Sequence, residues 1–257
     1  MTHLKPYSTP MTVGKPLSKT DGNLLTNSTE YKSIIGGLQY LTHTRTDLAF
    51  AVNKLSQFVQ APTTTHWTAA KRVLRYLKGY HALHIKYSKK LAITGFSDAD
   101  WACCPDDRRN VAGYCIYLRD TLVSWSSKKQ AVVSHSSTQS EYKALAQVTA
   151  KISWIQALLK EINFPLQSTP ITWSDNMGAS ALAANPVYHA RTKHIELNVH
   201  FVRDKVINKT PDIRYISSHD QVADCLTKSL TSHRLHFLSD KLGVVETPPS
   251  LIRVVKK

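Results

Sequence analysis

The chain has 257 residues, 42% of them hydrophobic and 20% charged, the balance of an ordinary globular protein long enough to bury a large core. Lysine and arginine outnumber aspartate and glutamate by 33 to 18, a formal charge of +15, which favours a polyanionic partner: nucleic acid by default, an acidic membrane surface as the other choice. No apolar run approaches the ~20 residues of a spanning helix, MTHLKPYSTP lacks the apolar core of a signal peptide, and Cys103, Cys104, Cys115 and Cys225 show neither CxxC pairing nor a zinc-finger histidine spacing.

The chain therefore reads as intracellular, with reduced structural thiols and no membrane partner. Residues 1–26, with Pro6, Pro10 and Pro16, are expected as a linker or arm. A helical segment spans 27–90. Its first helix starts at Asn27, with Glu30 completing a capping-box pattern, and buries Tyr31, Ile34, Ile35, Leu38 and Leu41. A second follows Thr46 in the register Leu48, Val52, Leu55, Val59 and stops at Pro62. A third, Thr65 to Lys78, sets Trp67, Ala70, Leu74 and Leu77 on one side and Lys71, Arg75 and Lys78 on another, with Arg72 close by. That basic stripe suits a phosphate backbone, and a solvated charged face explains it equally well.

Three strands are expected next, Leu91–Ser97, Val111–Leu118 and Leu122–Ser127, joined as an antiparallel meander. The loop between the first two carries Asp106, Asp107, Arg108 and Arg109; its arginines could hold phosphates or local ion pairs. A long helix, Ser137–Glu161, carries the stripe Leu145, Val148, Ile152, Ile155, Leu159. A strand Ile171–Ser174, helices over Met177–Ala184 and His194–Asn208, a strand through Ile213, Tyr215 and Ser217, and a helix in SHDQVADCLTK capped by Asp220 complete residues 91–231. The region 232–257 is expected as a loose C-terminal tail. This order predicts an α/β mixed sheet flanked by helices, preceded by a small helical segment.

Four acids stand out in comparable settings. Asp98 ends the first strand, Glu141 lies one turn before the apolar stripe of the long helix, Asp175 closes the short strand PITWSD, and Asp224 lies in QVADCLTK. Each has a plain structural reading. Asp98 could be a turn residue, Glu141 the partner of Thr138 in a capping box, Asp175 an N-cap, and Asp224 an ion-pair partner of Lys228 at i+4. Four such acids would also suffice to hold a pair of hard divalent ions.

SDADWA, DDRRNVAGYCIYL, SWSSKKQ, SSTQSEYKALA, WSDNMGA, RTKHIE and QVADCLTK resemble successive blocks of the ribonuclease H domain of copia-type retrotransposon Pol polyproteins. YKSIIGGLQYLTHTRTDLAFAVNKLSQFV and AAKRVLRYLKG resemble the thumb or connection segment that joins the reverse transcriptase to that domain. The resemblance implies a ribonuclease H-like fold and a two-metal-ion endonuclease acting on the RNA strand of an RNA/DNA hybrid. It implies two Mg²⁺ ions, with Mn²⁺ as a substitute, on Asp98, Glu141, Asp175 and Asp224, and His219 as an auxiliary to product release or proton transfer. A surface His is the plainer reading of His219. The partners implied are the hybrid and the polymerase domain of the parent polyprotein; the compartment implied is a cytoplasmic particle, with the nucleus as the other one allowed.

Departures from the family pattern occur at Cys103, Asn110, Val111, Asn198 and Ser229, none of them a proposed ligand. The paired aspartates of a polymerase palm are missing from this sequence, so it is not expected to copy DNA. The rival reading is a catalytically silent binder of nucleic acid, a relic or domesticated fragment. The glutamate comes second among the four acids, which disfavours an integrase-like enzyme.

Overall fold

The computed structural model describes residues 5–79, 81–83, 92–164, 166, 168–184, 196–208 and 210–246. The Arg191–Ile195 part of the RTKHIE block, the expected strand start at Leu91 and the end of the chain beyond 246 lie outside these. The chain divides into two compact units, Met1–His84 with Lys228–Lys257, and Ile85–Thr227.

The first unit begins with the helices α1 (Thr29–Leu41), α2 (Ala49–Ser56) and α3 (Thr64–Leu77). Tyr31, Ile35 and Leu38 of α1 and Val52 and Leu55 of α2 are buried, whereas Leu41 is exposed. The apolar face of α3 is rotated from the expected one, with His66, Ala70, Val73 and Tyr76 inside. The cause is local. Thr63 caps the helix in a capping box with His66, and the His66 ring stacks on Phe58 with centroids 3.8 Å apart, so an imidazole takes a core position that apolar periodicity assigns elsewhere.

Residues 232–246 are not a loose tail. Thr231 caps a helix α7 (Ser232–Leu242), Gly243 closes it at φ 76°, and Leu235, Leu238 and Leu242 are buried. A Thr N-cap, leucines at i, i+3 and i+7 and a C-terminal glycine are helix signals that outweigh the neighbouring prolines. The following strand β7 (Val244–Glu246) pairs antiparallel with β1 (His81–Leu83). The expected arm is also fixed within this unit, since Thr9 and Met11 are buried.

The second unit is the α/β mixed sheet flanked by helices that a ribonuclease H-like fold requires. Its strands are β2 (Ile93–Asp100), β3 (Val111–Leu118), β4 (Thr121–Lys129), β5 (Ile171–Ser174) and β6 (Asp212–Tyr215), in the order β4-β3-β2-β5-β6. β2, β3 and β4 are antiparallel; β5 and β6 run parallel to β2. The helices are α4 (Ser137–Glu161), α5 (Met177–Ala184) and α6 (Glu196–Ile207). Tyr142, Leu145, Val148 and Ile152 of α4 form one buried cluster with Ile93, Ile116, Ala179, Val199 and Val202. At Gly95 an added Cβ would lie 3.0 Å from both Val148 and Ile152, so the absence of a side chain lets α4 approach the sheet closely.

Two local expectations are corrected here. β2 does not end at Asp98 but runs to Asp100, with Asp98 opposite Gly113; the strand's hydrogen-bond ladder carries the chain through the acids. SHDQVADCLTK does not form an α-helix capped by Asp220. It forms a 3₁₀ helix, Val222–Leu226, capped by the side chain of Gln221.

Candidate metal centre

The sheet's central strand and its parallel neighbour deliver two acids to one end. Asp98 sits within β2 and is 1% exposed; Asp175 follows the last residue of β5. Glu141 lies in α4 above them and is 6% exposed. One carboxylate oxygen from each of Asp98, Glu141 and Asp175 lies within 4.8 Å of the others. Three anionic oxygens this close, two of the carboxylates buried, repel strongly unless a cation or protons compensate them. Such an all-oxygen donor set fits a hard divalent ion.

The local alternatives for two acids are decided by the hydrogen bonds. Ser136, not Thr138, caps α4 by accepting from the Gln139 N–H, and Glu141 Oε1 accepts instead from the Ala99 N–H at 3.2 Å. Its carboxylate is thereby tied to the strand bearing Asp98. Asn176 caps α5 through Oδ1, which accepts from the Ala179 N–H at 2.9 Å. Asp175 points elsewhere, accepting from Ser218 Oγ at 2.8 Å and Gln221 Nε2 at 3.4 Å.

Asp224, the fourth expected acid, is 7% exposed and stands outside the three-acid cluster. Its segment nevertheless touches the cluster from both sides. Gln221 is fully buried; its Nε2 donates to the Ser97 carbonyl at 2.9 Å as well as to Asp175, while its Oε1 accepts from the Ala223 N–H at 3.2 Å. Thr227 Oγ1 donates to Asp98 Oδ2. Gln221 and Thr227 flank Asp224 by three residues on either side, and three residues make one 3₁₀ turn. That spacing was the available signal for two residues that sequence reasoning passed over. The fit also depends on Gly113, where a Cβ would lie 2.7 Å from the Leu226 Cβ and 2.9 Å from Thr227 Cγ2.

The other expected site residues are dispersed. The His219 side chain is 74% exposed and pairs with Asp220 at 3.5 Å. Arg108 is exposed at φ 55°, and Arg109 pairs with Asp107 at 3.6 Å. Burial would push the Asp107 carboxyl up, but hydrogen bonds from Lys129, Cys104 and the Arg109 backbone hold it down at about 2. All four cysteines are free, and burial pushes the Cys115 thiol up, away from thiolate chemistry.

The basic stripe of α3 is largely occupied within its own unit. Arg72 donates to the Thr9 carbonyl at 3.1 Å and to Thr9 Oγ1 at 2.7 Å; Arg75 donates twice to the Lys5 carbonyl, at 3.0 and 2.8 Å. Both guanidiniums lie over the Tyr7 ring, at 4.2 and 3.8 Å from its centroid. Lys71 lies over Trp67 at 4.8 Å, and Lys78 is exposed at the helix end. The structure thus gives Arg72 and Arg75 a clamping role on the arm in place of an open phosphate-binding row. None of the described helices is long and apolar enough to cross a membrane.

A mixed five-stranded sheet with acids from two neighbouring parallel strands and a covering helix defines a ribonuclease H-like domain with a candidate cation site. No family model matches the chain. It is 45% identical over 252 residues to the retrovirus-related Pol polyprotein from transposon RE2 of Arabidopsis thaliana, covering 97% of this chain and 17% of that protein. With the corresponding polyprotein from transposon TNT 1-94 of Nicotiana tabacum it shares 32% over 254 residues, 95% of this chain and 19% of that one. Among solved structures, LC11-RNase H1, crystallised with an RNA/DNA hybrid, is similar over 52% of this chain and 93% of its own, at 13% identity and a TM-score of 0.40. The chain belongs with the retrovirus-related Pol polyproteins of transposons, and its sheet unit has a ribonuclease H-like fold. It spans about a sixth of the length of the transposon polyproteins it matches.

Proposed function

We propose that this chain is a ribonuclease H that cuts the RNA strand of RNA/DNA hybrids during retrotransposon reverse transcription. The observation that carries the reading is the meeting of Asp98, Glu141 and Asp175, 43 and 34 residues apart in sequence, within 4.8 Å. Family membership adds the biological setting: the polymerase domain of the parent polyprotein as neighbour, and a cytoplasmic particle or the nucleus as compartment.

Two Mg²⁺ ions, for which Mn²⁺ would substitute, would neutralise the scissile phosphate, lower the pKa of a water and stabilise the leaving alkoxide. Asp98, Glu141 and Asp175 would hold them together with Asp224. The chain's own contribution is preorganisation. Ala99, Ser218, Gln221 and Thr227 direct hydrogen bonds at the three clustered carboxylates, restricting their rotation before substrate arrives. His219, exposed beside this segment, is read as an auxiliary to product release or proton transfer.

The test is incubation of the chain with a hybrid labelled on its RNA strand and Mg²⁺, beside D98N and an EDTA control. Metal-dependent loss of the RNA strand, absent from the variant, is the expected result. Hybrid binding without cleavage in the wild type would instead support the silent binder.

A further inference from the structure

Trp101 is held in an unusual way for the largest apolar side chain. It follows β2 directly, three positions after Asp98, and 47% of its surface is exposed. Its ring is nonetheless fixed, because the indole Nε1 donates to the Ser134 carbonyl at 2.9 Å. The next residue, Ala102, has φ 52° and donates its N–H to Asn110 Oδ1 at 2.8 Å. Asn110 is fully buried and donates to Gln130 Oε1 at 2.9 Å; Gln130 Nε2 donates to the carbonyl of Ser140, the neighbour of Glu141, at 3.0 Å. A buried pair of amides therefore secures both the turn that presents Trp101 and the helix that presents Glu141.

The segment between β4 and α4, which carries Ser134, exposes Val132 and Val133, at 65% and 44%. Lys143 donates to Ser134 Oγ at 3.0 Å, which puts a cation at the edge of this apolar patch. An exposed aromatic ring whose orientation is fixed by a hydrogen bond is a ready stacking or packing surface for a nucleic-acid strand. A net charge of +15 and an acid cluster suited to divalent ions favour a nucleic-acid strand over a protein or a lipid. The strand rise places Trp101 at most ~10 Å beyond Asp98, about three base steps along a duplex. Hybrids are read through sugars and phosphates of the minor groove, where an indole face meets a sugar and a lysine meets the adjoining phosphate.

Resting on the nuclease reading above, we infer that Trp101 is a substrate-binding platform, packing on a sugar of the hybrid beside the scissile position, with Lys143 on the neighbouring phosphate. The test is anisotropy of a labelled RNA/DNA hybrid with the full chain in Ca²⁺ buffer, where binding is read without turnover, together with Mg²⁺ kinetics. W101A weakens binding about tenfold and raises KM alike while kcat stays within twofold; W101F, which keeps an aromatic face but loses the bond to the Ser134 carbonyl, recovers part of the affinity. Lys143→Met lowers the slope of log Kd against log salt by about one, whereas W101A leaves it unchanged.

Unchanged binding in W101A, or a loss of kcat at constant Kd, would overturn the platform while leaving the nuclease reading in place. A wild-type chain that does not bind hybrid would overturn both. If W101A fails to fold, a folded W101F that binds as weakly as a chain with the patch charged by Val132→Asp would decide against stacking.

Discussion

If Asp98, Glu141 and Asp175 form a cation site, neutralising one of them should stabilise the metal-free protein. At the 4.8 Å limit that encloses their oxygens, two unit charges repel by about 3.5 kcal/mol at an effective dielectric of 20. D98N removes the charge and keeps an oxygen to accept from Thr227 Oγ1. Allowing for hydrogen bonds that already favour the ionised acids, the net gain is about 1–3 kcal/mol, or roughly 3–9 °C in Tm for a domain of this size.

Thermal melts in EDTA and in millimolar Mg²⁺ measure this directly. Wild type should melt below D98N in EDTA and rise with Mg²⁺, by ~1.4 kcal/mol at ten times Kd; D98N should lose most of that rise along with cleavage. A D98N variant that melts lower than wild type in EDTA, or gains as much from Mg²⁺, would show that the three carboxylates do not act as one cation site.

Gly113→Ala would drive a methyl group into Leu226 and Thr227, at a cost of about 1–3 kcal/mol; chemical denaturation should show it, with metal affinity falling because Thr227 moves from Asp98. Gln221→Leu keeps the volume but strips partners from the Ser97 carbonyl, the Ala223 N–H and Asp175. A loss of about 2–4 kcal/mol is expected in the same measurement, with weaker Mn²⁺ binding by calorimetry. The depressed Asp107 carboxyl, at about 2 against an ordinary 3.8, contributes stability that is present above pH ~4 and lost as pH falls towards 2. Lys129→Met should therefore flatten that part of the stability–pH profile. Arg75→Met should lower stability by about 1 kcal/mol through its lost contacts with Tyr7 and Lys5, and leave the salt dependence of hybrid binding unchanged, as an arginine not on the phosphate path would.

The sheet unit was legible in the sequence to a degree that depended on how local its signals are. Val111–Leu118 and Ser137–Glu161 have the predicted limits, because alternation and a long helical stripe are strong local patterns. Asp98 shows the limit of such signals. The apolar run stops at Phe96, yet β2 continues to Asp100 because β3 supplies ladder partners as far as Val111. The rotated face of α3 and the helix α7 failed for the opposite reason. In α3 a buried, stacked histidine replaced an apolar residue, and α7 is only 11 residues long, with its helix signals confined to a capping Thr231, a closing Gly243 and three leucines.

The acids raise a different question, since every one of them had a satisfactory local explanation. Residues compete for a cap, and Ser136 and Asn176 win at the starts of α4 and α5; Glu141 and Asp175 are thereby left for long-range work. A neighbouring polar side chain can satisfy the helix end, so a surplus acid beside a competent cap is itself informative. The same logic extends to segment 221–227. Its 3₁₀ geometry makes poorer internal hydrogen bonds than an α-helix would, but it turns Gln221 and Thr227 towards β2, where they bind the Ser97 carbonyl and Asp98. A regular helix there would follow a 3.6-residue repeat and could not keep residues three apart on either side of Asp224 in line. The segment gives up local stability for a geometry that braces the acid site, which is why its sequence reads as a capped helix and its structure does not follow.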